Sequence, residues 1–176
     1  MHKAIFFDRD GTLIIDKVYL NDPEQVEYLP GVFTALRNLK NAGYIFIVVT
    51  NQSGVARGIV DLKNIEFIHE KLRIDFAKND IQFAGFYFAP HAVESNHHTR
   101  KPNPGMLEIA SRDHQIDLSK SWIVGDRMTD VEAGRRAGTR SVLLAGVDHP
   151  EKSQFEKPDA FVPDLLTAAE FILEVS

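Results

Sequence analysis

The stretch "KAIFFDRDGT", residues 3–12, runs four apolar residues straight into Asp8 and Asp10, then Gly11 and Thr12. Two carboxylates about 4 Å apart repel by about 4 kcal/mol at an effective dielectric of about 20. Asp126 and Asp130, in "VGDRMTD", add negative charge if the fold brings them near. Such a cluster either keeps a proton or takes a cation. A hard divalent cation suits it, and Mg²⁺ prefers oxygen ligands plus substrate phosphate over a closed protein cage. The other residue types suit phosphate. Lys101 neutralises phosphoryl oxygens, Thr50 and Asn51 donate hydrogen bonds, and Gly11 lets backbone amides approach closely. With Asp8 attacking phosphorus, Asp10 is placed to handle the leaving group's proton.

These residues need a scaffold that gathers them. Lys3–Asp8, Tyr44–Thr50, Phe83–Pro90, Ser121–Asp126 and Arg140–Ala145 are apolar without clean alternation, as in strands covered on both faces. Helical spacing lies between them. Val32, Ala35, Leu36 and Leu39 follow Pro30 and end at Gly43. Leu62, Ile65, Ile68, Leu72 and Phe76 follow an Asp61 cap. Asn103 reads as a cap with Pro104 at the first helical position. Thr129 and Glu132 read as a capping box, in a helix closed by Gly138. Asp164 starts a last helix. Strand–helix alternation predicts an α/β fold with a doubly wound, mostly parallel sheet, which binds ligands at the carboxyl ends of its strands. Asp8–Asp10, Thr50–Ser53 and Gly125–Asp130 all fall at such ends, and Arg100-Lys101-Pro102 precedes a helix. Any one of these groups could be ordinary capping and turn chemistry. Four at one edge are hard to explain that way.

The composition narrows the classes. The 176 residues, 44% of them hydrophobic, suit a single domain spanning 1–176. A net charge of −5 argues against nucleic-acid binding as the main task. The absence of cysteine excludes disulfides and a thiolate nucleophile. No apolar run has the length of a signal peptide or a membrane span, so a cytoplasmic protein with no membrane partner is expected. Oligomeric state is not legible.

"DRDGT", "VVTNQSG", "RKPNPGM" and "VGDRMTD" stand in the order of the four motifs of the haloacid dehalogenase superfamily of aspartate-nucleophile phosphatases. From Lys3 to about Ala145 the sequence resembles that family. The longer forms "TNQSGVARG" and "RKPNPGM" resemble the branch acting on D-glycero-D-manno-heptose 1,7-bisphosphate and on histidinol phosphate. The resemblance implies a Rossmann-like haloacid dehalogenase fold and Mg²⁺-dependent hydrolysis of a small phosphomonoester through an aspartyl-phosphate. It implies Asp8 as nucleophile and Asp10 as acid toward the leaving alcohol, then base toward water. Mg²⁺ would sit on Asp8, the Asp10 backbone carbonyl and Asp126. Thr50 and Lys101 would hold the transferring phosphoryl group, with Arg100 on phosphate or substrate. Asp130 would support them by orienting Lys101 or a metal-bound water. Asn51, Gln52, Ser53 and residues 16–19 match substrate-loop positions, and Arg127 either touches substrate or lies at the surface. The short intervals from Asp8 to Thr50 and from Thr50 to Lys101 leave no room for a large cap domain. An open site rimmed by loops 14–28 and 89–100 is expected. Heptose bisphosphate ranks first as substrate, another sugar phosphate second and histidinol phosphate third.

The sequence departs from the branch just before Arg100. Relatives carry a zinc loop of the form C-x-H…C-x-C, where this chain reads "APHAVESNHHTRKP". Ala89 stands at the first cysteine, His91 keeps the histidine, His97 and Thr99 fall near the last two cysteines, and the loop is shorter. Closed zinc sites take four protein ligands, and His91, His97 and His98 supply at most three, so structural zinc is not expected. The loop should then rest on packing of Pro90, Val93 and Pro102 and move more than a metal-clamped one. His2, His69, His114 and His149 read as surface or packing residues, and residues 146–159 as a surface loop without assigned function. A phospho-aspartate receiver module is the rival of another class. It lacks the need for an acid/base two residues after the nucleophile, and its acidic pair precedes its phospho-acceptor strand. A silent interaction module would not need the full set of Asp8, Asp10, Thr50, Lys101, Asp126 and Asp130.

Overall fold

Apolar runs that do not alternate must be covered on both faces, and the chain meets that demand with three layers. A computed structural model describes residues 1–176. The sheet contains β1 (Ala4–Phe7), β2 (Ile45–Asn51), β3 (Phe83–Ala89), β4 (Trp122–Gly125), β5 (Arg140–Leu144) and β6 (Ala160–Val162). Their spatial order is β3-β2-β1-β4-β5-β6, and every pairing is parallel. The helices are α1 (Val32–Asn41), α2 (Leu62–Ala77), α3 (Gly105–His114), α4 (Met128–Ala137) and α5 (Leu165–Val175). Alternate strand residues divide the core. Ile5, Phe7, Phe46, Val48 and Trp122 pack against α1, α2 and α5 through Leu36, Leu72 and Ile172. Ala4, Phe6, Ile47, Val49 and Ile123 face α3 and α4 through Met106, Leu107 and Ala133. A doubly wound parallel sheet without a large cap is thus what the chain forms.

Three expectations are corrected. A sixth strand, Ala160–Val162, pairs with β5 beyond the expected five; only three residues long at the sheet edge, it carries no periodicity of its own. Asn103 does not cap α3. The helix begins at Gly105, whose N–H donates to the His98 carbonyl at 3.1 Å, and the Asn103 side chain is drawn to nearer acceptors on Asn96 and His97. The Thr129–Glu132 capping box is also absent. The helix starts two residues earlier, with Arg127 in the cap position, and Asp130 Oδ2 accepts from the Arg127 N–H at 3.1 Å. Glu132 instead accepts from Arg135 and Arg136 on its own helix.

The connections from β1 through β2 to β3 run one way across the sheet. β4 then returns to the other side of β1. That reversal opens a crevice at the carboxyl ends of β1, β2 and β4, where such sheets take their ligands.

Candidate active site

Asp8 follows β1 directly, and its N–H donates to Val124 of β4 at 3.0 Å, which fixes it at the centre of the crevice. Thr50 and Asn51 end β2, Asp126 follows β4, and Asp130 sits in the first turn of α4. Asp8, Asp126 and Asp130 each offer a carboxylate oxygen, all within 4.8 Å of one another. Lys101 projects into this acidic cluster, 3% exposed. Its Nζ lies 3.0 Å from Asp8 Oδ1, 2.6 Å from Asp130 Oδ1 and 2.7 Å from the Val49 carbonyl. The ammonium thus donates to one backbone carbonyl and pairs with two carboxylates. The Asp130–Lys101 contact corresponds to one of the two supporting roles open to Asp130, the other being a metal-bound water.

One cation does not balance three carboxylates. Asp126 is 3% exposed and its Oδ1 has no hydrogen-bond partner. Burial first, then the neighbouring Asp8 and Asp130, push its carboxyl up to about 7. Burial also raises Asp130, against the pull of Lys101. Burial draws Lys101 down, but Asp130 and Asp8 outweigh it and hold the ammonium above its ordinary value. An orphaned carboxylate oxygen beside two further carboxylates fits a hard divalent cation. Gly11 makes room for the cluster: at φ +80° it takes a left-handed turn, and a Cβ there would collide with Asp126.

Asp10 points elsewhere. Arg9, fully buried, grips it with two parallel bonds, Nε to Oδ2 at 3.0 Å and Nη2 to Oδ1 at 3.2 Å. Gln52 Nε2 adds a bond to Asp10 Oδ2 at 3.0 Å and another to Thr50 Oγ1 at 2.8 Å. Behind Arg9, His69 of α2 sits with Nε2 3.4 Å from Nη1, between the rings of Phe86 and Phe88. Burial, with Arg9 and Arg73, holds His69 down at about 3, so it is neutral and can accept from Arg9. Burial raises Asp10 despite its bonds to Arg9.

Neither Arg9 nor His69 was among the expected site residues, and His69 was read as a surface or packing residue. Two signals were present. Arg9 is a lone cation between two aspartates. His69 falls on the inward stripe of α2 with Ile65, Ile68, Leu72 and Phe76.

The cleft over these groups has a volume of about 460 Å³ and is lined by Asp8, Asp10, Thr50, Gln52, Ser53 and Lys101, among others. Its rim comes from Asp16–Leu20 on one side and Val93, Asn96 and Arg100 on the other, within the two loops expected there. Arg127 lines it too, its Nη2 3.6 Å from Asp16. Asn51 lines the cleft, yet both ends of its amide engage the Lys101 backbone, Nδ2 to the carbonyl and Oδ1 from the N–H, each at 3.0 Å. It thereby ties the end of β2 to the Lys101 loop. The expected packing of Val93 is not found, since that side chain is 63% exposed. Of the loop histidines, His91 and His97 stack with centroids 3.5 Å apart, while His98 turns to Glu108 at 3.2 Å.

Comparison with known proteins agrees with this geometry. A family model described as HAD-hydrolase-like matches residues 98–168, from the rim loop through α4 to α5. A D-glycero-beta-D-manno-heptose-1,7-bisphosphate 7-phosphatase of Helicobacter pylori is 38% identical over 153 residues, 86% of this chain and 88% of the relative. The enzyme of the same name from Haemophilus influenzae is 36% identical and aligned over 99% of this chain and 98% of its own. The crystal structure of a D,D-heptose 1,7-bisphosphate phosphatase from B. bronchiseptica, complexed with magnesium and phosphate, superposes with a TM-score of 0.88. It covers 99% of each chain at 29% identity. Shared sequence along nearly the whole length, on the same sheet, leaves one conclusion: the chain belongs to the haloacid dehalogenase-like hydrolase family.

Proposed function

We propose that this protein is a Mg²⁺-dependent phosphatase of the cytoplasm that hydrolyses a sugar phosphate, D-glycero-D-manno-heptose 1,7-bisphosphate before others, through a phosphorylated Asp8. The observation that carries the reading is Asp8 itself. Its Oδ1 is held by Lys101 and by the Arg9 N–H at 2.8 Å, which leaves Oδ2 unengaged at the floor of the cleft. Asp8, Asp126 and the Asp10 backbone carbonyl would hold Mg²⁺, which when bound offsets negative charge on the phosphoryl oxygens. The chain offers no thiolate, and the reading includes no structural zinc.

Asp8 Oδ2 attacks phosphorus as the bond to the leaving oxygen breaks, and Asp10 gives that oxygen its proton. Asp10, now ionised, takes a proton from water, and the hydroxide displaces Asp8 from phosphorus to release phosphate. To act in either step, Asp10 exchanges bonds to Arg9 and Gln52 for the leaving oxygen or the water. Burial, by raising its pKa, favours the protonated form that the first step needs. Thr50 and Lys101 position the phosphoryl group. Gln52, Ser53 and Asn51 line the wall, and Arg100 and Arg127 bring positive charge to the rim, where the second phosphate of a bisphosphate would lie. The heptose reading is supported by relatives of that name aligned along nearly the whole chain.

The test is release of inorganic phosphate from heptose 1,7-bisphosphate in Mg²⁺, with phosphorus NMR to show which ester is cut. Asp8→Asn, which preserves shape and removes the nucleophile, should abolish turnover. Wild-type rates in that variant, or no release from any sugar phosphate by the wild type, would sink the reading.

A further inference from the structure

The rim loop between β3 and α3 hangs over the cleft and carries Arg100, yet residues 93–98 are exposed. Something must hold it. One side chain, Asn103, reaches three acceptors across the loop: the Asn96 carbonyl at 3.1 Å, Asn96 Oδ1 at 3.0 Å and the His97 carbonyl at 3.0 Å. Asn96 is where the loop reverses, with a left-handed backbone at φ 45°. The His97 carbonyl also accepts the Arg100 N–H at 2.9 Å, so Asn103 and Arg100 meet at one atom. The Arg100 guanidinium then donates to the His91 carbonyl at 3.3 Å, closing the loop on itself.

Asn103 is in turn fixed from behind. Its Oδ1 accepts from Arg136 Nη1 of α4 at 2.9 Å. That bond sets the amide so that the NH₂ faces the loop. Arg136 Nε lies 2.6 Å from Glu132 Oε1, and the buried Glu132 also takes two bonds from Arg135. Charge-assisted, multiply bonded groups of this kind hold their geometry better than single neutral contacts. α4 is also the helix whose Asp130 holds Lys101. One rigid element thus sets both the phosphate-binding lysine and the rim.

We propose that Asn103, oriented by Arg136 and Glu132, is a positioning residue that clamps the rim loop and so places Arg100 toward the part of the substrate away from the scissile phosphate. The clamp rests on the phosphatase reading for its effect on catalysis, but not for its effect on the loop. Asn103 touches no reacting atom. Its action is on recognition, so it separates large substrates from small ones.

The experiment uses Asn103→Asp, which keeps the shape and the acceptor for Arg136 but sets a carboxylate against two carbonyls. Arg136→Gln serves as a second variant that breaks the link from behind without adding charge. Kinetics are measured on heptose 1,7-bisphosphate and on p-nitrophenyl phosphate, which fills only the floor of the cleft. For the bisphosphate, KM should rise about tenfold with kcat within about twofold, a loss the size of one charge-assisted hydrogen bond. For p-nitrophenyl phosphate, neither constant should change by more than about twofold, because the clamp bears only on the rim. Arg100→Ala should cost much less in the Asn103→Asp background than in the wild type, since the residues act as one unit. Hydrogen exchange should quicken in residues 93–100 and stay slow in β1 and β4. Equal losses on both substrates, additive effects of the two substitutions, or unchanged exchange in 93–100 would each overturn the clamp. If the wild type hydrolysed neither substrate, the phosphatase reading would fail, and exchange alone would decide the clamp.

Discussion

Replacing Asp126 with asparagine should stabilise the metal-free protein at neutral pH and above, although it removes one carboxylate of the cluster at the strand ends. Asp126 is 3% exposed, close to Asp8 and Asp130, and raised from 3.8 to about 7. A shift of about three units, at 1.36 kcal/mol each, is about 4 kcal/mol of strain between the ionised carboxylate and the fold. The sign follows from proton counting. Between the unfolded value near 3.8 and the folded value near 7, the native state binds the extra proton, so its stability falls as pH rises. The cost is small at about pH 4, about 2 kcal/mol at pH 5, and levels off near 4 kcal/mol above pH 7.

A raw stability curve will not show this, because His69 works the other way. Its folded value of about 3 lies below its unfolded 6.5, so its contribution appears as pH rises through that window. The difference between wild type and Asp126→Asn isolates the carboxylate. Urea unfolding in EDTA from pH 5 to 8 should give a gain from the substitution that grows with pH by about 2 kcal/mol. Excess Mg²⁺ should reverse the order at pH 8, stabilising the wild type and leaving the variant nearly unmoved. A variant less stable than wild type at pH 8 in EDTA, or a gain independent of pH, would refute the reasoning.

Two further outcomes follow from the same geometry. Asp10→Asn should lower kcat by about 10²–10⁴-fold on a sugar phosphate and by much less in the phosphorylation step with a p-nitrophenolate leaving group, which needs no proton. Single-turnover measurements across a leaving-group series check this, and an equal loss throughout would remove Asp10 from the acid role. Gly11→Ala places a methyl at φ +80° against Asp126. It should destabilise the fold by about 2 kcal/mol or more and abolish Mg²⁺ binding, as read by thermal unfolding and by calorimetric titration with Mg²⁺.

The layers of the fold were legible because burial on both faces leaves a plain mark. Phe6 and Phe7 point to opposite sides of the sheet and are both fully buried, which requires the unbroken apolar run seen at β1. The sixth strand left no such mark. Phe161 at its centre is 41% exposed, and its pairing with β5 is set by the backbone. Capping was legible where one acceptor met one helix start, as at Asp61 and Asp164. It misled at Asn103 and Glu132. There the same side chains had stronger partners from distant elements or from arginines on the same helix, and spacing along the chain cannot reveal which partner wins.

The same rule governs the active site. Asp8, Asp10, Thr50 and Asp126 were legible because parallel strands deliver their carboxyl ends to one edge, whereas Lys101 comes from the loop before α3 and is tied to the end of β2 by Asn51. What holds them was hidden. Arg9 lies between two aspartates, and nothing in its neighbours says that it turns away from the cluster to grip Asp10 and rest on His69. That arrangement exists because α2 passes behind β1 with an imidazole on its inward face, held neutral by burial. A lysine there would repel Arg9, and a glutamate would accept from it and compete with Asp10 for it. The carboxylates gathered at the strand ends are set by backbone topology and are readable from a short motif. The groups that set their rotamers come from side chains far apart in sequence, and become visible only when the helices are laid against the sheet.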